Sequence, residues 1–219
     1  MPGTSPSLSE SQLLSLDTTR VCLVDATAHD YQLRRILKAH LAADTAEPNL
    51  LVIDELTLAY GAVRADVATI GARLEGFEIK AANDTLARLP RQVQAYDETF
   101  ERCWAVTVQS HAAKVNALLP SWWGLLVTDD AGTALEVRRA ARDNPMVSAA
   151  QLARLLWREE ALELLAQRNL LTGYKTKPKI ALFARIANHL SVQEVAAYVR
   201  QALRNRGDWR TELPKPTRS

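Results

Sequence analysis

Asp66, Glu78 and Lys80 have the residue types and the spacing needed for hydrolytic chemistry. In a β-strand successive side chains point to opposite faces, so Glu78 and Lys80 share a face while Ile79 turns to the core. Asp66 belongs to a second strand-like run, Arg64-Ala65-Asp66-Val67-Ala68-Thr69-Ile70. Between the runs, Gly71-Ala72-Arg73-Leu74-Glu75-Gly76 carries two glycines and is expected to be a hairpin connection. Closing that hairpin gathers two carboxylates and one ammonium at one end of a sheet. Such a trio suits a hard divalent cation, Mg²⁺ or Mn²⁺, which takes one or two carboxylates plus waters and substrate phosphate. The chemistry would be hydrolysis of a phosphodiester, with the lysine orienting the attacking water.

The elements that must position this trio are legible in outline. Residues 30 to 43 read as a helix, with Leu33, Ile36, Leu37, His40 and Leu41 at helical spacing and Arg34, Arg35 and Lys38 mostly on the other side. Strands are expected over 50–58, 63–70 and 77–81. A helix opened near Asp84 or Thr85 runs to about Arg102, with Pro90 as a possible bend. A continuous apolar strand follows over 103–108, then a short helix over 111–118 and two strands around the turn Asp129-Asp130-Ala131-Gly132. After Asn144-Pro145 the pattern is helical, with capping boxes expected at Ser148/Gln151 and Ser191/Glu194. The expected organisation is a loosely ordered stretch 1–20, an α/β unit 21–143 and a helical region 144–219.

Composition narrows the class. The 219 residues suffice for one sizeable core. No apolar run approaches the length of a membrane span, the first residues lack the layout of a secretion signal, and two distant cysteines, Cys22 and Cys103, make no disulfide framework. A cytoplasmic location and no membrane partner are expected. The net charge of +2 conceals an asymmetry: ten basic and three acidic residues lie from Leu171 onward, leaving 17 basic and 22 acidic before it. A basic tail on a slightly acidic body suits a polyanion partner.

The arrangement resembles the PD-(D/E)XK nuclease superfamily, which carries an acid on its second strand and E-x-K or D-x-K on its third. The resemblance runs from about residue 30 to 128 and is nearest to small stand-alone MmcB-like and RecB-like bacterial and phage members. Glu55, Gly61 and Arg64-Ala65-Asp66 match their first strand, turn and R-A-D, and Glu78-Ile79-Lys80 matches E-x-K. Gln92-Val93-Gln94-Ala95-Tyr96 has the Q-x-x-x-Y form of the helix after the hairpin, and Arg88-Leu89 fits that helix's polar start. Ala65 stands where the superfamily's proline would be. The resemblance implies a restriction-endonuclease-like αβββαβ core with a mixed sheet, plus an all-helical C-terminal extension. It also implies a DNA nuclease in which Asp66 and Glu78 hold the ion and Lys80 orients the water.

Other residues extend that expectation. Glu55 is a candidate third metal carboxylate. Arg64 shares a strand face with Asp66 and is a candidate phosphate ligand. Gln92 and Tyr96, at i and i+4, lie on one helix face and would line the substrate groove. Lys175, Lys177 and Lys179, interleaved with Tyr174, are candidates for tracking a nucleic-acid backbone. A homodimer is possible. The alternative is a catalytically inactive protein of the same fold that binds nucleic acid or a partner protein.

Overall fold

The computed structural model describes residues 30–43, 47, 49–58, 61–129 and 132–207. The stretch 1–20, the apolar run at 21–24, Asp130-Ala131 and the tail beyond Gly207 lie outside the described residues.

Helix α1 covers 30–43. It precedes a six-stranded mixed sheet in the order β1 (Leu51–Leu58), β2 (Val63–Ile70), β3 (Leu74–Lys80), β4 (Arg102–Thr107), β5 (Gly124–Thr128) and β6 (Leu135–Arg139). The first three strands form an antiparallel meander, β3–β4 and β4–β5 are parallel, and β6 turns back antiparallel. Parallel neighbours need crossovers. Helices α2 (Leu89–Asp97) and α3 (Gln109–Leu118) supply them. Four more helices follow: α4 (Ala149–Ala153), α5 (Arg158–Gln167), α6 (Lys179–His189) and α7 (Val192–Asn205). The molecule is α/β.

The sheet is buried on both faces, which explains the near-continuous apolar runs of β4 and β5. On one face Leu33, Ile36 and Leu37 of α1 meet Val67, Phe77, Ile79, Val106 and Leu126. Complete burial of Leu37 alone is worth about 2 kcal/mol. On the other face α2 and the C-terminal helices share one continuous core with Ile53, Ala65, Ala68, Ile70, Leu74 and Ala105. Arg204 of α7 fastens the helical layer by donating to the carbonyls of Asn49 and Ile70.

Four expectations change. The β2–β3 connection is only Gly71-Ala72-Arg73, and β3 begins at Leu74. Gly76 is not a turn glycine. It lies inside the strand beneath the Phe100 ring, where a Cβ would stand 2.3 Å from a ring carbon. The helix expected to reach Arg102 ends at Asp97, because the Tyr96 carbonyl takes the amides of both Thr99 and Phe100 and sends Phe100 into the core. Pro90 opens that helix rather than bending it, after a 3₁₀ turn at Leu86–Arg88 capped by Thr85. The capping box at Ser148 does not form, since Gln151 reaches Glu98 instead, whereas Ser191/Glu194 does form one.

Candidate active site

The β2–β3 ladder is regular from Ile70↔Leu74 to Val67↔Phe77 and stops there. Strict alternation would put Val63, Ala65 and Val67 on one face. Instead Val63 and Ala65 join Ala68 and Ile70 on the helical side, while Val67 faces α1. The alternation slips at Asp66, and β1 slips opposite it at Glu55, whose backbone is left-handed at φ 58°. Such an irregularity re-aims a side chain and ends regular pairing. The Asp66 side chain takes over the ladder's role here: its Oδ2 accepts the Ile79 amide at 2.8 Å.

The gap opens a cleft of about 370 Å³ between the end of β3, the start of β2 and the first turns of α2. Asp66, Glu78 and Lys80 all line it. Glu78 is fully buried, and both its oxygens are engaged: Oε1 by Lys80 Nζ at 2.5 Å and Oε2 by the Tyr96 hydroxyl at 2.8 Å. Burial, and next the Asp66 carboxylate beside it, push Glu78 up to about 7. Burial also raises Asp66, although the Ile79 amide, Lys80 and Arg34 pull it back.

Tyr96 does not line a substrate groove. Its ring is completely buried between Phe100 and Trp123, and its hydroxyl serves Glu78 from behind while accepting the Asp66 amide at 3.3 Å. The i,i+4 spacing placed it on the Gln92 side of α2 but could not give its depth. Burial, and then Glu78, raise its pKa well above the ordinary phenol value, so it remains a donor. Gln92 does line the cleft, and its Oε1 is buried with no hydrogen-bond partner among the described residues.

Glu55 does not join the carboxylates. The left-handed backbone turns it outward to an ion pair with Arg64 at 3.2 Å, both side chains well exposed. Arg64 still borders the cleft. Lys175, Lys177 and Lys179 lie at the α5–α6 connection and the start of α6, outside the cleft lining. Arg158 holds the Lys175 and Lys177 carbonyls there, at 2.8 and 2.7 Å.

Several residues in the cleft or beside it carry no strong local sequence signal. Arg34 of α1 borders Asp66, Asp54 and Asp30 at 3.5, 3.9 and 3.7 Å. Only its i,i+4 pairing with Asp30 is a local signal. Arg91 of α2 lines the wall with Arg88, the last residue of the 3₁₀ turn before that helix, and neither makes an ion pair among the described residues. Asp30 and Asp84 also reach the lining.

The chemical inventory is therefore an acidic floor beneath a cationic wall. Among the described residues no cluster of three or more His, Cys, Asp or Glu side chains forms a metal cage. The two adjacent carboxylates Asp66 and Glu78 do fit Mg²⁺, which needs few protein ligands. A dication would offset both the burial and the neighbouring Asp66 charge that hold Glu78 high.

The family model for bacteriophage P4 protein cII matches residues 25–213. The chain belongs to that family. The match to the P4 cII family takes in the cleft, the whole sheet and the C-terminal helices together. Comparison with curated proteins and with solved structures gave no match. Among the described residues no helix is long and apolar enough to cross a membrane.

Proposed function

We propose that this protein is a metal-dependent phosphodiesterase acting on nucleic acid, with DNA as the first candidate. The observation that carries the reading is the meeting of Asp66, Glu78 and Lys80 in one cleft, where the β2–β3 ladder opens. The order α1, β1–β3, α2, β4, with β3 and β4 parallel, is compatible with a restriction-endonuclease-like core. Residues 144–207 would then be a helical addition to it.

Asp66 Oδ1 and a Glu78 oxygen would hold Mg²⁺ or Mn²⁺. When bound, the ion supplies charge neutralisation and a more acidic water. The Ile79 amide fixes one Asp66 oxygen and leaves the other with only a long contact to Arg34. Tyr96 holds the Glu78 carboxylate in place from the core side. Lys80 spends one N–H on Glu78 and keeps two for the attacking water and a phosphate oxygen. The water oxygen bonds phosphorus and gives up a proton to solvent, the bridging P–O bond breaks, and the leaving oxygen takes a proton from solvent. Arg64, Arg88 and Arg91 would receive neighbouring phosphates, Arg88 and Arg91 without first surrendering an acidic partner.

The test is cleavage of duplex, single-stranded, flap, junction and RNA substrates with Mg²⁺, Mn²⁺ or EDTA. Asp66→Asn, Glu78→Gln and Lys80→Met should each lower metal-dependent cutting by roughly a hundredfold or more, with folding intact. Parental activity in all three variants would remove the assignment. A second reading has its own support: every oxygen of Asp66 and Glu78 already faces an internal donor or cation. That suits a protein which grips nucleic acid without cutting it. Nucleic-acid binding with no cleavage of any substrate, and no ion uptake in its presence, would favour this alternative.

A further inference from the structure

Arg34 does more than pair with its helix neighbour. Its side chain is mostly buried and points from α1 into the strands. One guanidinium nitrogen bonds the Asp66 backbone carbonyl, which anchors it on β2 beside the Asp66 side chain. The other stands 3.5 Å from Asp66 Oδ1 and 3.7 Å from Asp30 Oδ2. The two oxygens of Asp66 are therefore held very differently. Oδ2 makes a tight bond to the Ile79 amide at 2.8 Å. Oδ1 has only a long contact with the guanidinium, which attracts by charge without the grip of a short hydrogen bond.

We infer that Arg34 is a resident counter-cation: it neutralises Asp66 in the ion-free protein and sets the divalent-ion concentration at which the site fills. This inference rests on the reading of Asp66 and Glu78 as ion ligands. Oδ1 is the oxygen the ion would take, and the guanidinium holds it loosely enough to be displaced. The anchor on the Asp66 carbonyl keeps the positive charge nearby, so each incoming dication works against a fixed like charge. Lys38, 2.5 Å from Asp54, occupies that neighbouring carboxylate and so leaves Arg34 free to act on Asp66. The arrangement would keep the cleft inactive at low metal and fill it only when the ion is plentiful or substrate phosphate adds negative charge.

The experiment is calorimetric titration of the full chain with Mn²⁺, without nucleic acid, for the parent, Arg34→Lys and Arg34→Gln. Arg34→Gln should bind Mn²⁺ at least tenfold more tightly, because a unit charge about 4 Å from a dication has more than that influence even with water-like screening. Arg34→Lys should stay within about threefold of the parent, because the charge remains. In parallel, the Arg34 Nε–H resonance of ¹⁵N-labelled parent protein should shift on titration with diamagnetic Mg²⁺, a readout independent of whether Arg34→Gln folds. Equal or weaker Mn²⁺ binding by a folded Arg34→Gln, or an unmoved Arg34 resonance while Mg²⁺ binds, overturns the inference and leaves the ion site standing. No ion uptake by the parent or either variant overturns both together.

Discussion

Strand β3 carries a cluster of acids and bases at each end, and the two are built on opposite principles. At its start, Asp143 accepts Arg73 and Arg102 at 2.8 to 3.0 Å in full view of solvent. Its slight burial works against ionisation, but the hydrogen bonds and charges of Arg102 and Arg73 win and hold it below the usual carboxylate range. At the other end Asp66, Glu78 and Lys80 are withdrawn from water, and burial wins instead, holding both acids above their ordinary range. The first cluster ties a hairpin to a loop at little cost. The second keeps a partly protonated carboxyl beside a lysine in a cleft.

Breaking the two ends should have effects of very different size. The largest concerns Glu78. Its folded pKa of about 7 stands above the ordinary 4.5. The folded protein therefore binds this proton more tightly than the unfolded chain does. The resulting stability is fully present below pH 4.5 and is lost as pH rises through 7. The loss should be of order 2–3 kcal/mol between pH 5 and 8. Denaturant unfolding in EDTA across that window measures it, and Glu78→Gln should flatten the profile.

Next comes Tyr96→Phe, which leaves Glu78 Oε2 buried without its donor and should cost about 1–3 kcal/mol in the same unfolding assay. Arg88→Ala and Arg91→Ala should each weaken nucleic-acid binding a few-fold and lower the slope of log affinity against log salt by about 1, with stability unchanged. The smallest effect is expected at the exposed end. Asp143→Asn should cost at most about 1 kcal/mol and leave ion binding alone. A loss of ion binding there would mean that the two ends of β3 are coupled.

Much of this contrast could be read in the chain, but not its depth. The shared face of Glu78 and Lys80 follows from period-two alternation, which is local. Gly76 was misread because a glycine in a turn and a glycine beneath an aromatic ring look alike in one dimension; Phe100, which decides between them, is 24 positions away. Glu55 was misplaced because a one-residue slip reverses which face a side chain takes, and no residue in that run announces the slip. Arg34 meets Asp66 across 32 positions, a contact no spacing rule reaches. Tyr96 was seen as a partner of Gln92 because helix spacing gives direction around the axis but says nothing of how much protein lies beyond.

The most direct test is Mn²⁺ uptake by the parent protein and by Glu78→Gln, followed between pH 6 and pH 8. One ion per chain is expected, binding more tightly as Glu78 ionises through about pH 7, with protons released at the lower end and uptake largely lost in the variant. Uptake that ignores pH and survives Glu78→Gln, or none at any pH even with nucleic acid present, would contradict an ion site built on Asp66 and Glu78.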